Sequence, residues 1–491
     1  MSLNIVDKVV AFFDPAAGIR RSRARAALNP KASYEGAKDG RRTAGWTTSG
    51  ASANAETSGG LVALRDRSRD LIRNNPLAGS GQTKWTDSVV GTGILCQWND
   101  ATVQAKWDAW VKTCSADGLP GFEAIQAQAC DAEFETGEVL LRSRPRRRSD
   151  GVWPPVQIQV LEADYLDTLK TATLASGYII QGVEFNGVGK RVAYWLFDRH
   201  PGDSAASGLP GSISTMSHRV PASEVSHIGR PKRPGQVRIV PRLAPSTLPA
   251  KDTADWEEAE IIRKRTEACI AAAVTSPEGD EFQFTTEVAD ANGNPVSTFE
   301  PGMMLKLRPG EDVKFNQPAY AGGYEDYKTS RQRDFAAGIG IPFELLTGNY
   351  SKSNYSSSRM GAVAFKRAVE SHQWAWFIPQ MCEWAAQKFL EYLLMLDGPA
   401  SDTSHQWSPP AFELLDRLSE SKADQVDLQI GKKTWPQVVA GAGNNPAQQL
   451  AEISEYSEGL QGAGVDFFNG QLAIAESNAA DPQEQVPDEP Q

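Results

Sequence analysis

Along this chain the apolar positions recur with two different periods, and the change of period divides it. Leu3, Val6, Val10 and Phe13 share one helical face, which is expected to dock on the body of the protein. Asp7, Lys8 and Asp14 interrupt that stretch, so it does not read as a signal peptide. Residues 1–60 form an arm whose stretch 40–60 has the Gly/Ser/Thr/Ala composition of a linker. A helical period starts at Leu61 and runs to about Arg73, ahead of Pro76. A second helix is predicted from about Gly79 to Val90, a strand over 93–97, and helices over 101–114 and 122–134.

Beyond Glu138 the period shortens to two. The runs 156–167 (VQIQVLEADYLD), 177–185 (GYIIQGVEF) and 190–198 (KRVAYWLFD) read as strands, and Asn186-Gly187 is a hairpin signal. The Gly/Ser/Pro-rich stretch 201–217 reads as a loop. A small β-rich domain is therefore inserted between helical parts. Helix returns at Asp252 or Thr253, with acids (Asp255, Glu257, Glu258, Glu260) ahead of bases (Arg263, Lys264, Arg265), the order the helix dipole favours. It ends near Ser276-Pro277, a rod of roughly 33 Å at ~1.5 Å per residue. A longer helix starts at Ser357 or Ser358, either of which can cap it, and runs to Leu396 with a bend at Pro379. Residues 405–470 read as short helices. The fold class is α+β.

The 491 residues are enough for roughly three domains. No apolar run approaches the ~20 residues of a membrane span. Five scattered cysteines (Cys96, Cys114, Cys130, Cys269, Cys382) contain no CxxC pair, which argues against a disulfide framework or a thiolate zinc site and for a reducing compartment. The net charge is −11, and nine acids with no Lys or Arg lie in 434–491. The rest of the chain is nearly neutral, so the composition lacks the basic surplus of a nucleic-acid-binding module. From Asp481 the acid and Pro spacing predicts disorder.

Two basic runs go against this trend: 19–25 (IRRSRAR) and 142–148 (RSRPRRR). The second places Arg142, Arg144, Arg146, Arg147 and Arg148 at a predicted hairpin tip, where they can meet phosphates, pair with acids of a neighbouring subunit, or simply be solvated. Enzyme signatures are missing. Gly431-Lys432 lacks the first glycine of a phosphate-binding loop, Gly91-Thr92-Gly93 is better read as a tight turn, and the five histidines have no metal-ligand spacing. No catalytic, cofactor or metal residues are assigned.

Several stretches, taken in order, resemble the portal proteins of lambda-like tailed bacteriophages. They are 64–76 (LRDRSRDLIRNNP), 89–94 (VVGTGI), 159–167 (QVLEADYLD), 182–203 (GVEFNGVGKRVAYWLFDRHPGD), 220–236 (VPASEVSHIGRPKRPGQ) and 334–359 (DFAAGIGIPFELLTGNYSKSNYSSSR). Past 405 the likeness loosens: 416–420 reads DRLSE where the family tends to Asp-Pro-x-Lys-Glu. The resemblance implies a portal fold: an α/β wing, a helical stem, a β-rich clip and a helical crown. On that fold the wing is 61–120 and 278–404, the stem helices 121–137 and 250–277, the clip 138–245, and the crown 405–475. A tunnel loop is 347–358, ahead of a long helix 358–396, and 476–491 is an acidic tail. Lys352, Asn354, Tyr355 and Arg359 would be DNA-facing at the tunnel loop, and the Arg142–Arg148 cluster an interface in the clip.

The family function is a homo-oligomeric ring, usually a 12-mer, at the portal vertex of the virion capsid. It is assembled in the host cytoplasm and is a channel for packaging and ejecting double-stranded DNA. The implied partners are the terminase large subunit, a head-tail adaptor or connector, the major capsid protein and scaffold, with no membrane and no cofactor. The competing readings are a packaging nuclease or ATPase, which calls for clustered carboxylates or a phosphate-binding loop, and a DNA-binding module, which calls for net basic charge.

Overall fold

One asparagine both ends the first long helix and begins the next. The helices are α1 (Ala53–Ser58), α2 (Leu61–Asn74) and α3 (Pro76–Val89). The Asn75 N–H donates to the Leu71 carbonyl at 2.7 Å, while its side-chain oxygen accepts from the N–H groups of Leu77 (3.0 Å) and Ala78 (3.3 Å). Pro76 fills the first helical position, where no N–H is needed. The strand β1 (Leu95–Trp98) follows. Then come α4 (Ala101–Trp110), capped by Asp100, and α5 (Phe122–Thr136), closed by Gly137. Gly91 and Gly93 have φ of 51° and 119°, the geometry of the predicted tight turn.

The computed structural model describes residues 41–203, 216–269, 273–275, 288–289, 295–296, 312–314, 324–411, 417–444 and 446–462. The chain divides into two units, 1–52 and 53–491. In the first, the described residues form a turn at Gly45 that leaves Trp46 exposed. The helical face at 3–13, the basic run 19–25 and the acidic tail lie outside the described residues, as does most of the 201–217 loop.

In the second unit the β-rich stretch folds as two antiparallel sheets. The strands are β2 (Val139–Pro145), β3 (Val156–Glu162), β4 (Ala172–Leu174), β5 (Gly177–Ile180), β6 (Val183–Asn186), β7 (Arg191–Leu196), β8 (His218–Pro221) and β9 (Val225–Ile228). Their orders are β3-β2-β9 and β4-β5-β6-β7-β8. The predicted hairpin joins β6 to β7. Its turn takes four residues rather than two, because the Asn186 side-chain oxygen accepts from Val188 N (3.1 Å) and Lys190 N (2.9 Å).

Strand β2 is buried on both faces. Val139 and Leu141 enter the main core with α3, α4 and α5, whereas Leu140 faces a second apolar cluster built on Val183, Tyr194, Leu196 and Val220. Side chains alternate across a strand, so one strand serves two cores.

The helix expected over 250–277 is α6, Thr247–Cys269. It starts earlier because Pro249 sits in its first turn, where proline is tolerated. It stops earlier because β10 (Ala273–Thr275) pairs with β13 (Asp312–Lys314); β11 (Val288–Ala289) pairs with β12 (Pro295–Val296). After these come α7 (Tyr324–Ile339), α8 (Phe343–Thr347) and α9 (Tyr355–His372). A π-helical stretch, Gln373–Cys382, then leads into α10 (Glu383–Asp397). The long helix thus starts three residues before the expected 358, and Pro379 lies within the widened π turns.

β14 (His405–Ser408) pairs with β1, so the chain past 404 first returns to the main core as a strand. Only then does it form α11 (Arg417–Gln429), α12 (Trp435–Gly441) and α13 (Pro446–Gly462). Aromatic rings weld α4 to α10: Trp107 stands edge-on to Phe389 at 5.1 Å, and Trp110 lies 5.3 Å from it. Cys96, Cys114, Cys130 and Cys382 are buried free thiols. Among the described residues no helix is long and apolar enough to cross a membrane.

Candidate functional site

The arginine run does not all sit at a hairpin tip. Arg142 and Arg144 belong to β2, opposite Gln159 and Gln157 of β3, and are half-buried. Only Arg146, Arg147 and Arg148 occupy the connection. Strand alternation puts Arg142, Arg144 and Arg146 on one face. Glutamines fix two of them: Arg144 Nε donates to Gln159 Oε1 at 2.7 Å, and Arg146 Nε to Gln157 Oε1 at 2.6 Å. Burial, then the charges of Arg142 and Arg146, lower the proton affinity of Arg144. Arg148 lies over the Trp153 ring at 5.2 Å, and Arg147 and Arg148 are exposed. This row of exposed to half-buried guanidinium groups can contact phosphates or carboxylates from outside.

The loop expected over 347–358 is shorter. Thr347 ends α8, Gly348 closes it with φ of 68°, and Asn354 caps α9. The cap is reciprocal: Asn354 Oδ1 accepts from Ser357 N at 2.8 Å, and Ser357 Oγ accepts from Asn354 N at 3.2 Å. Ser357 is therefore the partner of the cap rather than the cap itself. Tyr355 and Arg359 lie in the helix, and Lys352 and Asn354 in the exposed loop. Lys352 Nζ lies 3.7 Å from Asp326 Oδ1, so its charge is partly offset.

The most deeply buried ion-pair cluster among the described residues centres on a residue with no distinguishing sequence context, Glu138. It is fully buried, together with Arg65 of α2, Arg238 and His227 of β9. Oε1 accepts from Arg65 Nη2 and from Arg238 Nε (2.6 Å); Oε2 accepts from Ile239 N (2.8 Å) and His227 Nε2 (2.9 Å). Burial alone would raise the Glu138 pKa, but Arg238, Arg65 and His227 outweigh it and hold it well below the usual carboxylate range. Burial lowers the pKa of His227. As a neutral ring it donates from Nε2 to Glu138, and its Nδ1 faces Arg191 Nη1 at 3.2 Å. Arg238 also donates to the carbonyls of Gln181 and Ala163, 3.0 Å each.

The backbone permits this crossing only through glycine. At Gly137 φ is +88°, and a Cβ would stand 2.2 Å from the Val240 carbonyl oxygen; at Gly229 φ is +149°, and a Cβ would meet Gly137 O at 2.7 Å. With four bonds, both carboxylate oxygens are saturated. Glu138 is a joint between α2, β2, β9 and the segment after β9, with no lone pair spare for a substrate.

A second charged cluster holds Glu162, Asp164 and His200, whose ligand atoms lie within 4.8 Å of one another. Arg69 of α2 occupies it, donating to Glu162 (2.7 Å), to Asp164, and through Nε to Glu135 (3.1 Å). His200 Nδ1 accepts from Gly202 N at 3.1 Å, which puts the proton of a neutral ring on Nε2, facing Glu162. Both features fit an ion-pair network better than a metal site.

Sequence reading gave the five histidines no metal-ligand spacing and missed Glu138, Arg65 and Arg238. Positions 65, 138, 227 and 238 share no motif, and only the fold brings them together.

A mixed helix-and-sheet architecture with saturated buried charges and exposed basic rows is the class defined so far. Residues 39–373 match the sequence model of the family described as phage portal protein, lambda family. The chain belongs to that family. It is 23% identical over 441 residues to a probable portal protein of Halomonas phage phiHAP-1, covering 86% of this chain and 82% of that protein. It is 22% identical over 187 residues to the portal protein of Escherichia phage N15, covering 34% of this chain and 32% of that one. Among solved structures it is similar to a chain of the virion of a native gene transfer agent particle, with a TM-score of 0.47 and 14% identity, covering 78% of this chain and 93% of that chain. A chain from the neck of the empty particle gives a TM-score of 0.44 at 15% identity, covering 77% and 90%.

Proposed function

We propose that copies of this chain close into a ring at the portal vertex of a phage capsid, assembled in the host cytoplasm. Double-stranded DNA passes through the ring during packaging and ejection. The observation that carries this reading is the family match over 39–373. The β-rich part 138–245 serves as the clip, α5 and α6 flank it as stem helices, and the rest of the main core with α9 and α10 is the wing. Residues past 408 supply the crown. The terminase large subunit docks on the clip, and a head-tail connector later replaces it. Major capsid protein and scaffold surround the wing. A row of arginines from Arg142 to Arg148 offers such partners a contact surface.

The chain hydrolyses no ATP and cuts no DNA in this reading; those steps belong to the motor. Saturated Glu138 and Arg69-filled Glu162/Asp164 support this, since two-metal phosphodiester chemistry needs carboxylates free to bind metal.

The loop 348–354 faces the channel. Its glycine, asparagines and serines add no apolar surface beyond the exposed ring of Tyr350, and Lys352 touches phosphates transiently. A density map of the assembled particle tests the reading. The loop is expected at the ring axis, and a position on the outer rim contradicts it. Deleting 348–354 should leave rings intact and reduce packaged DNA.

A further inference from the structure

Beside Gly137 lies a cavity of about 440 Å³. Trp85, Glu133, Arg230, Lys232, Arg242 and His372 line it. Its floor is buried, with Trp85 2% exposed and His372 4%, while Arg230 and Lys232 stand exposed at its rim and Arg242 is half-buried. Three of these residues are cations and one is an acid. That acid is engaged, since Glu133 Oε2 meets His372 Nε2 at 3.0 Å.

Arg242 is placed as a receptor rather than as half of an ion pair. Its guanidinium lies flat on the Trp85 ring, 3.4 Å from the centroid, and its Nε donates to the Ile339 carbonyl at 2.7 Å. Neither of its Nη nitrogens has a hydrogen bond among the described residues. Space is kept beside them, because a Cβ on Gly340 would stand 3.3 Å from Arg242 Nη2. Burial lowers the Arg242 pKa to about 10, so it remains charged at neutral pH. Burial, then the charges of Arg242 and Arg230, lowers the Lys232 pKa, and Glu133 is the lining acid whose charge reaches Arg242.

We propose that this cavity is a binding site for a single oxyanion, a phosphate or carboxylate group, held by the fork of Arg242 with Arg230 and Lys232 closing over it. A planar fork suits two oxygens of one group, and the stacked ring fixes its orientation. The volume accommodates such a group with a few waters at ~30 Å³ each. A small anion suits the site better than a duplex, because Arg242 is half-buried against the buried Trp85 ring. The oxyanion therefore comes either from free phosphate or from an acidic side chain of a second copy of this chain.

Calorimetric titration of the full-length protein with inorganic phosphate at low salt tests the site. Unassembled protein is expected to bind one phosphate saturably. Arg230→Gln and Lys232→Gln, both at exposed rim residues, should each weaken binding about tenfold. Arg242→Gln should abolish it; should that variant fail to fold, the two rim variants decide alone. Binding by unassembled and assembled protein alike assigns the site to free anion. Binding by the unassembled protein only, with assembly weakened in the rim variants, assigns it to a neighbour's carboxylate. Binding by neither form, or binding indifferent to both rim substitutions, overturns the proposal.

Discussion

Arg65 and Arg238 are buried around one carboxylate at the start of β2, whereas Arg146, Arg147 and Arg148 sit half-buried to exposed on the connection at the other end of that strand. The same side chain has opposite duties in the two places. At Glu138 both carboxylate oxygens are matched, because an unmatched buried charge costs several kcal/mol, and only Arg65 Nε is left without a hydrogen-bond partner. On the connection Arg147 and Arg148 are exposed and Arg146 is held by Gln157, so these groups contribute little to folding and can meet another molecule. The number of arginines along a segment therefore does not tell which of them hold the fold and which face a partner; burial and pairing do.

The sharpest way to break this comparison is Glu138→Gln. It leaves two buried guanidinium groups without a counter-charge and should destabilise the protein by about 3–5 kcal/mol, read as a lower urea midpoint. A loss below ~1 kcal/mol would mean that the joint is not what ties α2 to the sheets.

Acid should act on the same joint. His227 has a pKa lowered from 6.5, so below pH 6.5 the unfolded chain takes up a proton that the folded chain refuses. Glu138 is held well below its ordinary 4.5, and below that pH it acts in the same direction. In both cases the unfolded state binds more protons, so stability rises with pH and is lost as pH falls. Thermal melting is expected to drop from about pH 6.5 downward and more steeply below about pH 4.5. Replacing His227 by Gln should flatten the upper part of that profile.

A smaller effect is expected at the boundary of the exposed loop. Asn354→Ala removes the cap of α9 and should cost about 1 kcal/mol, whereas Ser358→Ala should cost far less. The smallest effect is the counterpart of the first: Arg146, Arg147 and Arg148 changed together to Ala should shift stability by less than about 0.5 kcal/mol per residue. The same change should weaken ring or motor docking, measured by co-sedimentation. A loss of folded protein would show instead that these arginines belong to the core.

What could be read in the sequence follows from how locally each feature is encoded. Pro76, the Asn186-Gly187 pair and the apolar runs of β3, β5, β6 and β7 act within a few positions, and the corresponding elements form. The start of α9 was displaced because serines 356–358 and Asn354 are comparable caps by type, and only the reciprocal bond with Ser357 selects Asn354. The start of α6 was hidden by Pro249, which reads as a breaker unless it is known to lie in the first turn. Strand β14 was missed because its alternation is only four residues long and its partner β1 is some 310 positions away. The Glu138 joint was illegible for the same reason on a larger scale.

The mass of the assembled protein in solution tests the central claim most directly. Twelve copies of a 53.3 kDa chain weigh about 640 kDa, and closed cyclic symmetry requires a discrete species rather than a ladder. Native mass spectrometry of the purified protein is predicted to show a ring of that order. A 53.3 kDa monomer that stays monomeric at high concentration and cleaves DNA or ATP would contradict the account.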